Sequence, residues 1–267
     1  MDERNSLRIA QTCATIAELM GIEAPKGADQ ANPVIMKKAA ALYGGEKVER
    51  VLMYNPDAIA LWVYQKYTEK FAPVIANSDI AIPVLSVMPS VTPVCFASMY
   101  TGLMPQEHGI RAYVKPVLRV ETLFDSLIQA GKKPIIISTA GDSISEIFKE
   151  REMDYIFCDS EDEVNENALH ILEEDRYDLI TVYNGNFDAT MHRYGPESAE
   201  ALAQLDHNAA AYEKLCKKAC EVWKGKRHLE AFLPDHGCHT IDGDLGAHGL
   251  DMPEDMNIIH FYSLHKN

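Results

Sequence analysis

"YDLITVYNGNFDATMH", residues 177–192, runs one pattern straight into another. In its first half, Leu179, Ile180, Val182 and Tyr183 are apolar on both phases of a two-residue repeat. A strand with one wet face alternates; a strand covered on both faces need not, and such strands belong to parallel sheets. The second half sets Asp188 and His192 four residues apart. On a helix that spacing puts both on one face, where they either grip one ion or simply form an exposed turn.

Similar short runs lie on either side. Residues 50–54, 83–88, 133–138, 154–158, 229–235 and 257–264 read as strands. Helical patterns fall between them, near 58–71, 93–101, 121–130, 164–174 and 197–223. Strand–helix alternation predicts an α/β fold, with a mostly parallel central sheet flanked by helices on both faces. Ahead of it, 6–20 and 34–43 read as two helices joined by a loop over 24–33. Residues 1–46 are therefore expected to form an added N-terminal helical segment on a single domain spanning 1–267.

In open parallel sheets ligands bind beyond the carboxyl ends of the strands. The residues at those ends are Asn55-Pro56-Asp57, Thr92, Asp188 and His192, and Asp235-His236-Gly237, with Ala247-His248-Gly249 in a nearby Gly-rich loop. Each has an ordinary reading: Asp57 after a proline is a good turn or cap residue, and His248 between small residues is unremarkable. Together, three carboxylates and three imidazoles at one sheet edge would be costly without cations. That mixture of oxygen and nitrogen donors suits zinc or manganese and not calcium. Thr92 is followed by Pro93, which favours the first helical position, so Thr92 is expected at the N-cap. The free amides and positive dipole end there would suit an anion. A threonine hydroxyl becomes a nucleophile only when a base or metal takes its proton, and a cation held by Asp57, Asp235 and His236 would do that.

The formal net charge of −15 excludes a gripped nucleic-acid polymer, which needs a basic surface. A small phosphorylated substrate stays compatible, because bound metal ions reverse the local field. The six cysteines include no CxxC pair and have irregular spacing, which predicts reduced thiols in a cytoplasmic protein. The opening residues lack a signal-type apolar core, and no stretch approaches the roughly 18 apolar residues of a membrane span. Oligomeric state stays open.

The motifs "PSVTPVCFASMYTGLMPQEHGI", "FDATMHRYGP", "PDHG" and "AHG" occur in the order found in a known family. Over roughly 48–262 the chain resembles the alkaline phosphatase superfamily, and within it the nucleotide pyrophosphatase/phosphodiesterase-like branch. The resemblance implies one metal site of Asp57, Thr92, Asp235 and His236, and a second of Asp188, His192 and His248. It implies hydrolysis of phosphodiester or pyrophosphate bonds of a small, nucleotide-type substrate. Thr92 would form a phosphoryl intermediate beside two ions about 4 Å apart, zinc first and manganese as the other choice. Helix amides after Thr92 would help meet the developing charge.

Two departures from the family pattern matter. Relatives end the first strand in Asp-Gly where this chain has "NPDA". Asp57 is the ligand by count, with Asn55 as the alternative. The phosphoryl-binding Asn expected after "HGI" is missing; Tyr113 takes the place, with Arg111 and Lys115 as alternatives. The sulfatase CxPxR pattern is absent, so Cys95 is expected to face the core. His108 is expected to hold its turn and His239 to be a loop histidine. A phosphomonoesterase or phosphonate hydrolase with the same metals is the rival reading, and a non-catalytic binding protein the next.

Overall fold

The computed structural model describes residues 4–266. Its strands are β1 (Arg50–Pro56), β2 (Ile80–Leu85), β3 (Pro134–Thr139), β4 (Asp154–Cys158), β5 (Leu179–Asn184), β6 (His228–Phe232), β7 (His239–Thr240), β8 (Gly246–Ala247) and β9 (Asn257–His265). Seven of them form one sheet in the order β2-β9-β6-β1-β5-β3-β4, while β7 and β8 make a small separate hairpin. All neighbours pair in parallel except β9, which runs antiparallel to both β2 and β6. The fold is the expected α/β one, mostly parallel and covered by helices on both faces.

Strand β1 shows how the layers form. Its side chains point alternately to the two faces. Val51 and Met53 join a core shared with the helices Gln11–Met20, Thr92–Thr101 and Leu123–Gln129. Leu52 and Tyr54 join the other core, against Glu161–Glu174 and Ala199–Val222. The helix Gln11–Met20 is buried almost throughout, and the Cys13 thiol donates to the carbonyl of Tyr100 on the Thr92–Thr101 helix. The first of the N-terminal helices thus forms part of a covering layer.

Some boundaries differ from expectation for local reasons. The expected strand 83–88 lies earlier, at Ile80–Leu85; Ser86 N–H still donates to the Met256 carbonyl in the same register, and the strand ends there. Pro83 lacks an N–H, and it is tolerated because β2 is an edge strand. The expected helix 58–71 is broken into Leu61–Lys66 and a 3-10 turn, Thr68–Phe71, followed by Ala72–Ala76. No helix among the described residues is long and apolar enough to cross a membrane.

Candidate functional site

The carboxyl ends of β1, β5 and β6 lie side by side, and the expected site residues project from the loops and helices just beyond them. Asp57 follows β1, Asp188 and His192 lie on the helix Asn186–Tyr194 after β5, and Asp235-His236 follow β6. His248 comes from the loop after β8, and Thr92 opens the helix Thr92–Thr101.

Thr92 Oγ1 donates to Asp57 Oδ2 at 3.2 Å and lies 3.3 Å from His236 Nε2. His236 Nε2 is 3.2 Å from Asp57 Oδ1 and 3.4 Å from Asp235 Oδ2. Nearby, Asp188 Oδ1 is 3.3 Å from both His192 Nε2 and His248 Nε2. The two groups adjoin: Asp57, Asp188 and His236 have ligand atoms within 4.8 Å of one another, and the His236 and His248 rings stack with centroids 4.1 Å apart. The structure thus gathers Asp57, Thr92, Asp188, His192, Asp235, His236 and His248 at one place.

Each imidazole is anchored in the same way. His236 Nδ1 donates to Gly237 O at 2.9 Å, His192 Nδ1 to Gly246 O at 3.0 Å, and His248 Nδ1 to Ser90 O at 2.9 Å. This turns every Nε2 toward the carboxylates, the arrangement that outer hydrogen bonds impose on metal-binding histidines. Asp57 Oδ1, Asp188 Oδ1 and Asp235 Oδ2 are buried without any hydrogen-bond partner. Buried carboxylate oxygens of that kind are costly. Three such oxygens facing three imidazole nitrogens fit divalent cations, with Asp57, Thr92, Asp235 and His236 on one side and Asp188, His192 and His248 on the other.

Protonation reflects the same crowding. Burial, then the charge of Asp188, pushes the Asp57 carboxyl up to about 7. Burial and Asp57 raise Asp235 well above its ordinary range. Burial, reinforced by His248, lowers His236 to about 3, so it is neutral with an open Nε2. Burial opposes ionisation of Asp188, but His192 and His248 outweigh it and hold this carboxyl low. Metal binding would displace whatever protons these groups share.

Local backbone decides the choice between Asn55 and Asp57. Asn55 is consumed inside the sheet, donating to Leu233 O at 2.9 Å and accepting from Tyr100 at 2.7 Å. Ala58, just after Asp57, has φ of +63°, in the left-handed region that glycine favours. Asp57-Ala58 therefore occupies the place of an Asp-Gly step, and the Ala58 N–H donates to Asp235 Oδ1 at 3.2 Å. Gly237 is needed for another reason: a Cβ there would fall 2.0 Å from Glu254 O.

Two expectations about the helix start are corrected. Thr92 is not the N-cap; Val91 is, Pro93 lies inside the first turn, and no side chain caps the helix. The Thr92 hydroxyl is thereby left to face Asp57. Nor can the amides after Thr92 serve an anion: Pro93 has none, and Val94 and Cys95 both donate to Val91 O at 3.0 Å. At this helix start the Thr92 amide is the one that donates to no other group among the described residues. Cys95 is fully buried, with its sulfur accepting from Ser86 Oγ at 3.2 Å.

Tyr113 stands outside the cluster and is 59% exposed. Burial of its inner part raises its phenol, Ser143 opposes this, and Asp57, Asp188 and Asp235 add to the rise. Arg111 donates to Gln106 O and Lys115 to Gly141 O. His108 sits in its turn, accepting from Ile110 N–H and bonded to Ser98 Oγ. His239 lies in the short strand β7 and not in a loop, and its Nδ1 pairs with Asp255 Oδ1 at 2.7 Å. Sequence reasoning missed Tyr183, whose hydroxyl donates to Asp57 Oδ2. Its position at the end of the run 177–184 was the one available signal.

The family model of type I phosphodiesterase / nucleotide pyrophosphatase matches residues 55–130, the segment holding Asp57 and Thr92. No curated protein matches. Among solved structures, an inactive threonine-to-alanine variant of murine ectonucleotide pyrophosphatase / phosphodiesterase 5, in complex with AMP, is similar with a TM-score of 0.59 and 17% identity, over 73% of this chain and 59% of that one. The human counterpart gives a TM-score of 0.57 and 18% identity, over 72% of this chain and 58% of that one. The chain thus spans less than two thirds of those structures, and at such identities the likeness speaks for the fold.

Proposed function

We propose that this chain, by its fold and its matched segment a member of the nucleotide pyrophosphatase/phosphodiesterase branch of the alkaline phosphatase superfamily, hydrolyses a phosphodiester or pyrophosphate bond of a small nucleotide-type substrate. The observation that carries the reading is the meeting of the Thr92 hydroxyl with three partnerless carboxylate oxygens and three inward-facing imidazole nitrogens.

Asp57, Thr92, Asp235 and His236 would hold one divalent ion and Asp188, His192 and His248 the other, with zinc first by donor type. Bound there, the ions would supply positive charge that lowers the proton affinity of the hydroxyl and stabilises phosphoryl oxygens. The protein's part is positioning. Asp57 Oδ2 accepts the Thr92 hydrogen bond and aims the oxygen at the cluster, while Tyr183 donates to that same carboxylate oxygen. Gly237, Gly246 and Ser90 carbonyls fix the three imidazoles, so little reorganisation is needed when substrate arrives. Attack forms the Thr92 Oγ1–phosphorus bond and releases the first alcohol or phosphate; water then cleaves the Thr92 ester and restores the hydroxyl. The neighbouring fold that binds AMP, and is inactive with a threonine replaced by alanine, supports both the substrate class and the nucleophile. Tyr113 is assigned to the substrate. Six free thiols suit the reducing cytoplasm assigned to the protein.

The test is turnover of bis(p-nitrophenyl) phosphate beside p-nitrophenyl phosphate with zinc-loaded protein. Preference for the diester is expected. Preference for the monoester would transfer the site to phosphomonoesters, and no turnover of either would overturn the reading.

A further inference from the structure

At the opposite edge of the sheet the antiparallel course of β9 has a chemical result. Its last residue, His265, pairs in register with His228, the first residue of β6. The two imidazole rings stack with centroids 4.3 Å apart and planes within 9°. Two residues along β6 lies Glu230, only 1% exposed, and Cys220 reaches over from the helix Ala199–Val222. These four side chains have ligand atoms within 4.8 Å of one another. None belongs to the candidate active site, which lies beyond the other end of β6.

We propose that Cys220, His228, Glu230 and His265 form a second metal centre that binds one zinc ion and fastens the end of β9 to β6 and to the long helix. The spacing is the first argument. With zinc–sulfur near 2.3 Å and zinc–nitrogen or zinc–oxygen near 2.0–2.1 Å, the edges of a tetrahedron are about 3.3–3.6 Å. Cys220 Sγ lies 3.9 Å from His228 Nε2, 3.6 Å from Glu230 Oε1 and 3.9 Å from His265 Nδ1. His228 Nε2 lies 3.6 Å from Glu230 Oε1. These four distances lie within a few tenths of an ångström of that range, and the remaining ligand pairs lie within 4.8 Å.

Outer partners supply the second argument. His228 Nδ1 donates to Lys226 O at 3.0 Å, which leaves Nε2 facing the group. His265 keeps its Nε2 3.0 Å from Ser263 Oγ and 3.3 Å from Glu230 Oε2, so Nδ1 is the nitrogen offered to the centre. Such outer hydrogen bonds orient metal-binding imidazoles. One thiolate, two imidazoles and one carboxylate suit zinc and exclude calcium and magnesium, which take oxygen. Four protein ligands leave no open position, so the centre is structural and not catalytic. Cys220 is the exposed member and provides the way in; its thiol proton leaves to solvent on binding.

The test uses the full chain, stripped of metal and titrated with cobalt(II). Only a thiolate ligand gives a sulfur-to-cobalt charge-transfer band in the near ultraviolet, and the candidate active site offers oxygen and nitrogen alone. The wild type is expected to show the band, zinc to abolish it, and Cys220→Ser to lose it entirely. Absence of the band in cobalt-saturated wild type, or its survival in C220S, would overturn the proposal. A second measurement needs no variant: zinc should slow alkylation of Cys220, read by peptide mass spectrometry, by roughly tenfold or more, because a metal-bound sulfur is a poor nucleophile. Unchanged alkylation would equally overturn it. Turnover of phosphate esters enters neither readout, so failure of this centre and failure of the proposed hydrolase are separable.

Discussion

The phenol of Tyr183 donates to Asp57 Oδ2, the same oxygen that accepts from Thr92 at 3.2 Å. Tyr183 therefore sets how much charge Asp57 can offer an ion and how its carboxylate is turned. Replacing it with Phe removes one hydroxyl from a buried position beside Phe96. Y183F is expected to bind zinc about 10- to 100-fold more weakly, the usual cost of losing an outer partner of a ligand. Competition with a chromogenic chelator measures this, and unaltered affinity would remove Tyr183 from the site.

Thr92 is expected to be required for turnover but not for metal retention. T92A should lose on the order of 10³-fold or more in kcat. Metal content by mass spectrometry should match the wild type, since carboxylates and imidazoles supply the remaining ligands. T92S, which restores a hydroxyl, should recover part of the activity. Normal turnover in T92A would end the nucleophile assignment.

Gly237 is expected to tolerate no side chain. In Gly237→Ala a Cβ would meet Glu254 O at 2.0 Å and Ala60 Cβ at 3.0 Å, so the backbone must shift. Overpacking of that kind costs about 1–3 kcal/mol. The carbonyl that anchors His236 moves with it, so zinc affinity should fall together with the thermal midpoint. Calorimetry and zinc titration of G237A would show both, and a wild-type midpoint would refute the packing argument.

His260 predicts a specific pH response. It is fully buried in β9, with Nε2 donating to Pro234 O at 2.9 Å, and burial lowers it to about 4. Its unfolded value is near 6.5, so between the two values the unfolded chain binds the extra proton. Stability from this residue is complete above pH 6.5 and is lost as pH falls toward 4. His260→Gln keeps an amide donor without a titrating ring. The stability difference between wild type and H260Q, from urea unfolding, should change by up to a few kcal/mol over that window. Parallel curves would contradict it.

Much of this was legible before any coordinates. The apolar residues on both phases of 177–184 announced a strand covered on both faces, and Asp-His-Gly after 229–234 announced a strand end with ligands. The N-cap expectation for Thr92 failed by one residue, because proline is accepted anywhere in the first turn and not only at its first position. Tyr183 was hidden because its hydroxyl acts across the sheet, toward a residue 126 positions away. Cys220 with His228, Glu230 and His265 was hidden for a similar reason. The register that brings His228 against His265 depends on β9 running antiparallel, and no spacing in the chain records that.

The position of β9 has a consequence for assembly. It is inserted between β2 and β6, yet it follows every residue of the candidate active site in the chain, His248 included. During synthesis all seven groups emerge before the strand that joins β2 to the rest of the sheet. Pairing over such sequence distances is slow. A half-finished chain would carry a loose collection of donors with no fixed pocket, so metal loading belongs after the last strand has zipped in.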